Sequence, residues 1–223
     1  MASPIAAARH APPPRAGRRE RRRAEIRERI FRAALQLFAE RGFLETTVED
    51  ITEAADVGKG TFFNYFPTKE HVLATLGAER LAAIERAHER AKKGPVLPVL
   101  KDLATGLAGQ SAESAALLRA IYAAHASCEA VRAELRRRLL VGRRLLAEIF
   151  ALGQERGEIR RDQSPEELAR LTQITVLGVL LAWAMNPDSS LRKTAEQVWD
   201  VFLVSVGTEA KRKPARSHRS KRS

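Results

Sequence analysis

Thr61, Asn64 and Tyr65 stand at a spacing that lines three hydrogen-bonding side chains along one edge of a helix. An asparagine amide can bond adenine in a bidentate manner, a threonine methyl can pack on thymine, and a phenol suits a phosphate. Phe62 and Phe66, four apart, face the other way and supply an inward edge. A stubby helix so rich in exposed polar groups has little to offer a hydrophobic core, and it fits the major groove of DNA. Gly60 sits in its first turn, where glycine costs ~1 kcal/mol against alanine. That cost makes sense where the backbone must approach another molecule closely. Lys59 and Lys69 each lie near a helix start, where a cation opposes the dipole, and two on one side invite a phosphate. The bland alternatives are Tyr65 shared with the core, Phe63 only sealing the module and Lys69 simply solvated.

Two further helices must hold that edge in place. Residues 22 to 41 carry Ile26, Ile30, Ala33, Ala34, Leu37 and Phe38 as one buried stripe. The predicted stop is Arg41-Gly42-Phe43, with a left-handed glycine C-cap and Phe43 folding back. Thr46 or Thr47, three residues before Glu49 or Asp50, makes a capping box in either register. A threonine there also suits a phosphate at a helix N-terminus. Val48, Ile51, Ala54, Ala55 and Val57 are expected inward, and Gly58 caps the reading segment. Three helices in this order form a helix-turn-helix module.

The net charge of +12 is confined to the ends. Residues 1–23 carry +6 and residues 208–223 carry +6, so 24–207 are balanced. Both ends lack apolar periodicity, which predicts disorder. They are either solubilising tails or electrostatic arms that neutralise phosphates beside the module. The module itself, 24–80, has seven Lys/Arg against ten acids, so it gains from charge lent by Arg15 to Arg23. The N-terminus has no apolar signal region, although its arginines imitate a transit peptide. The most apolar run, Ile174 to Met185, is about half of the ~20 residues of a membrane span. A single cysteine, Cys128, excludes an intramolecular disulfide and fits a reducing cytoplasm.

Four segments result: a basic arm (1–20), a DNA-reading domain (21–80), a helical regulatory and dimerisation domain (81–207) and a basic tail (208–223). The predicted fold class is all-α. Helices are expected at 69–92, 96–109, 112–126, 128–156, 165–185 and 191–206. Arg136, Arg137, Arg138, Arg143 and Arg144 are expected on the wet side of the fourth of these. Ser164-Pro165-Glu166-Glu167 is a helix start with a serine cap and favourable acids. The helix after it is apolar on nearly every face, and Leu191, Val198, Trp199, Phe202 and Val206 offer it a partner surface. Either residues 165–206 meet a second copy as a four-helix dimer interface, or the other helices close over them in a monomer.

The stretch from Arg22 to about Leu81 resembles the tetracycline-repressor-like (TetR) family. Lys59, Gly60, Thr61, Phe63, Tyr65, Phe66, Pro67, Lys69 and Glu70 match its reading-helix pattern. The resemblance implies a homodimeric regulator, usually a repressor, that binds palindromic double-stranded DNA. It also implies release when a small-molecule effector enters the body. Carried over residue by residue, Thr46 and Thr47 touch phosphate and Lys69 clamps the backbone. Lys59, Gly60, Thr61, Phe63, Asn64 and Tyr65 enter the groove. Asp56 stands where the family usually has a turn glycine, and Phe63 where a tyrosine is common. For the effector pocket, Tyr122, His125, Phe150, Gln173, Thr175 and Trp183 are candidate liners.

Other classes find less support. A nucleoid-type protein coating DNA through its tails would not need Thr61 and Asn64. No phosphate-cradling loop, paired metal-binding histidines or nucleophile context points to an enzyme, and no cofactor is implied.

Overall fold

A computed structural model describes residues 17–111, 114–187 and 190–208. Among them are nine helices: α1 (Arg18–Arg41), α2 (Val48–Ala54), α3 (Lys59–Tyr65), α4 (Lys69–Lys93), α5 (Val96–Ser111), α6 (Ala115–Ser127), α7 (Glu129–Glu155), α8 (Pro165–Met185) and α9 (Leu191–Val206). The only extended pairing among the described residues is an isolated antiparallel bridge between Ile159 and Gly207. The all-α expectation therefore holds. Most of the basic arm and tail lies outside the described residues.

Helix α1 starts at Arg18, four residues earlier than periodicity predicts. The cause is local: the Glu20 carboxylate accepts from the Gly17 N–H at 3.1 Å, and the arginines that follow are good helix formers. Its buried stripe is Ile30, Ala34, Leu37 and Phe38. At the far end Phe43 does fold back, its ring edge-on to Phe38 at 5.1 Å. Gly42, however, is not in the left-handed helical region. Its φ of 89° comes with a ψ of 159°, a combination open essentially to glycine alone.

These elements make a head and a body whose apolar cores are continuous. The head cluster around Ile30, Phe38, Ile51, Phe62 and Phe66 extends to Ala120 and Ala124 of α6 and Val131 of α7. Helix α4 runs from the head into the body, packing along α7, while α8 lies against α7 and α6, and α9 against α5. Ser114 and Ser164 cap α6 and α8 through the N–H groups of Leu117 and Glu167.

Several sequence expectations change here. The α8 helix, at 21 residues, has the length and apolarity of a membrane span, longer than the Ile174–Met185 run implied. Its additional turns include Leu168 and Ala169, packed in the core beside the charged Glu166, Glu167 and Arg170. Leu191, Trp199 and Val206 are buried within the protomer, so they do not form a partner surface. The outward apolar side chains are instead Ile174, Leu181 and Met185 on α8 and Val201 and Val204 on α9. Arg138 and Arg143 leave the wet side of α7. Arg138 donates to the Ala74 carbonyl of α4 and pairs with Glu134, and Arg143 Nε donates to Gln173 Oε1 at 3.0 Å.

Candidate nucleic-acid interface and effector cavity

The α2–α3 pair is set by two local devices. Thr47 is the N-cap of α2: its hydroxyl accepts from the Asp50 N–H at 3.1 Å, and Asp50 Oδ2 accepts from the Thr47 N–H at 2.8 Å. The same carboxylate accepts from the Thr47 hydroxyl, and these bonds hold Asp50 below the usual aspartate range. The turn then passes through Asp56 at φ 48°, the only non-glycine with positive φ among the described residues. Its carbonyl accepts from Arg29 Nη2 at 2.9 Å, which ties the turn to α1. The residue that departs from the resemblance thus adopts the conformation a glycine would have taken without strain.

Helix α3 divides as its residue types predict. Phe62 and Phe66 are buried, and Arg27 lies over the Phe66 ring at 5.3 Å. Lys59, Gly60 and Asn64 are exposed, Thr61 and Tyr65 are half-buried, and Phe63 is 51% exposed while edge-on to Phe62. Lys59 pairs with Glu49 of α2, whose carboxyl it holds below its ordinary range. Ala54, expected inward, is exposed, because α2 ends there and turns its last residue to solvent.

Two residues expected at phosphates are engaged elsewhere. Thr46 is fully buried, and its hydroxyl donates to the Gly42 carbonyl at 2.7 Å. That geometry removes the Thr46 side chain from any phosphate contact. Lys69 folds back on the α1–α2 loop. Its Nζ donates to the carbonyls of Thr46 (2.8 Å), Phe43 (2.9 Å) and Leu44 (3.2 Å), and sits 4.7 Å from the Phe43 ring centroid. It therefore clamps the protein's own backbone. Three loop carbonyls converging on one ammonium account for a cation at a helix start better than a solvated charge does.

The body contains a cavity of about 640 Å³ bounded by α4, α5, α6, α7 and α8. His125 and Gln173 line it, as expected. Tyr122, Phe150, Thr175 and Trp183 are not among its lining residues. Phe150 is packed in the α4–α5–α7 core, and Tyr122 turns its hydroxyl to the Leu177 carbonyl at 2.9 Å. Apolar periodicity marks Phe150 as inward but does not distinguish a packed neighbour from a wall. The other tryptophan, Trp199, forms part of the wall.

Sequence reasoning missed Arg80 and Thr172, both on the wall. Burial lowers the pKa of Arg80 and of His125, which favours the neutral imidazole. A signal did exist: Arg80 interrupts the apolar Leu76–Ile84 row on α4, and Thr172 the Leu168–Val176 row on α8.

A head presenting a short polar helix, joined by one long helix to a hollow helical body, defines a DNA-binding regulator of the helix-turn-helix class. Residues 30–76 match the model of the bacterial regulatory proteins, tetR family. The FadR repressor of Thermus thermophilus, solved with lauroyl-CoA, is 34% identical, with 85% of this chain and 99% of that chain aligned at a TM-score of 0.59. The repressor DhaR of Mycobacterium sp. (strain GP1) is 28% identical over 163 residues, 71% of this chain and 82% of its own. In fold, FadR of Bacillus subtilis with stearoyl-CoA aligns over 80% of this chain and 98% of its own, at 22% identity and a TM-score of 0.68. The chain belongs to the TetR family of transcriptional regulators, and so is not an enzyme.

Proposed function

We propose that the protein is a cytoplasmic, homodimeric repressor that binds a palindromic operator and is released when a small apolar molecule enters the body cavity. Residues 21–80 act as the reading unit and 81–207 as the regulatory one. The observation that carries this reading is that one helix serves both. Thr68, immediately before α4, and His71, Ala74, Gly77 and Arg80 of α4 all line the cavity, and α4 begins four residues after α3 ends. An occupant that displaces α4 therefore displaces the reading helix. The acyl-CoA bound to the Thermus relative supports an apolar effector. Exposed Ile174, Leu181, Met185, Val201 and Val204 support pairing of α8 and α9 with a second copy, since so much apolar surface is normally covered.

Thr61, Asn64 and Tyr65 read the bases and adjoining phosphates, and Lys59, Gly60, Phe63 and the Thr47 backbone support the approach. The test is to recover genomic fragments bound by the purified protein, then to compare wild type with a Thr61→Ala, Asn64→Ala double variant. Preference for one palindrome over unrelated DNA by ~10³-fold, lost in the variant, is expected. Undiminished preference in the variant would overturn the assignment.

A further inference from the structure

The composition of the cavity wall bears on what enters it, given the regulatory reading above. Most of the wall is leucine, isoleucine and valine. The cavity meets solvent beside the exposed residues Thr68, His71, Ala130 and Arg137. Arg80 lies nine residues beyond His71 on the same helix, about 13 Å along its axis. A guanidinium has five N–H donors, more than one neighbour can satisfy, and in an apolar chamber it favours an anionic guest. Thr172 is the second observation: its Oγ1 is buried and has no hydrogen-bond partner. A buried orphan hydroxyl is costly unless something else completes it.

We infer that the cavity takes an aliphatic carboxylate with its charged head inside, the carboxylate on Arg80, a ligand oxygen at Thr172 and the hydrocarbon along the leucine walls. A head group seated that far from the opening must be small. A free carboxylate meets this condition, and the nucleotide end of a thioester does not.

The probes are dodecanoate, 1-dodecanol and lauroyl-CoA, titrated calorimetrically into the full-length protein. Dodecanoate is expected to bind about 10- to 100-fold more tightly than 1-dodecanol, the range for a charge-assisted bond. Arg80→Gln should erase that ratio while leaving alcohol binding nearly unchanged. Thr172→Val should weaken dodecanoate severalfold while leaving the ligand-free protein at least as resistant to urea, which a merely structural role would not produce. Equal affinity of wild type for acid and alcohol overturns the inference, as does lauroyl-CoA binding without dodecanoate binding. Operator binding is read in the same ligand-free samples. Its loss in wild type counts against the regulatory reading, whereas its retention with no acid preference counts against this inference alone.

Discussion

Gly77 sits mid-helix in α4, and a methyl group built there would lie 2.0 Å from Arg138 Nη1. Gly77→Ala must therefore evict the guanidinium that reaches across from α7 to the Ala74 carbonyl. Two effects oppose each other. Alanine in a helix interior gains ~1 kcal/mol over glycine. Losing a hydrogen bond from a charged group forfeits about 1.5–3 kcal/mol, and the Arg138 side chain, only 18% exposed, is poorly placed to recover it from water. The net expectation is a loss of about 0.5–2 kcal/mol. In an Arg138→Met background nothing is left to evict, and the same substitution should stabilise by up to ~1 kcal/mol. The assay is urea unfolding at one fixed protein concentration, so that association does not enter the comparison. A change of sign between the two backgrounds is the signature. If Gly77→Ala stabilises both equally, the Arg138 contact contributes nothing and the reasoning fails.

Three further predictions concern the head. Asp56→Gly relieves a left-handed aspartate while loosening the unfolded chain, and should leave stability unchanged or raise it by under ~1 kcal/mol. Asp56→Val should lower it clearly, and a urea midpoint ordering of Val above Gly would refute the strain argument. Lys69→Met strips three carbonyls of one ammonium and should cost about 2–3 kcal/mol in urea unfolding, with Lys69→Arg recovering part. A full loss of DNA binding with no loss of stability would return Lys69 to the phosphate role. Because Asp50 is held below its ordinary value of 3.8, its contribution is complete above that value and lost as pH falls through the lower folded one. The gap in unfolding midpoint between wild type and Asp50→Ala should then narrow from pH 6 to pH 3. A gap constant with pH would contradict the cap assignment.

Local chemistry was legible in the sequence, and long-range partnership was not. The faces of α3 follow from two phenylalanines four apart, and the starts of α2 and α8 from residues three apart in the chain. Thr46 and Lys69 were misjudged because their partners stand four and more than twenty residues away, on carbonyls that residue type does not announce. The same blindness affected α9, where Trp199 looks inward to its own protomer and Val201 outward. In the body, a helical stripe specifies burial and nothing more. Whether the neighbour across it is a side chain or empty volume depends on how α4, α7 and α8 separate. The polar interruptions at Arg80 and Thr172 were the one visible trace of that volume.

The ammonium that opens α4 also fastens the loop between α1 and α2. This leaves the reading helix no slack of its own: Lys69 welds the strut to the segment that leads into it. A tilt imposed deep in the body would be delivered to the groove as the swing of a stiff lever, without being absorbed at a hinge on the way.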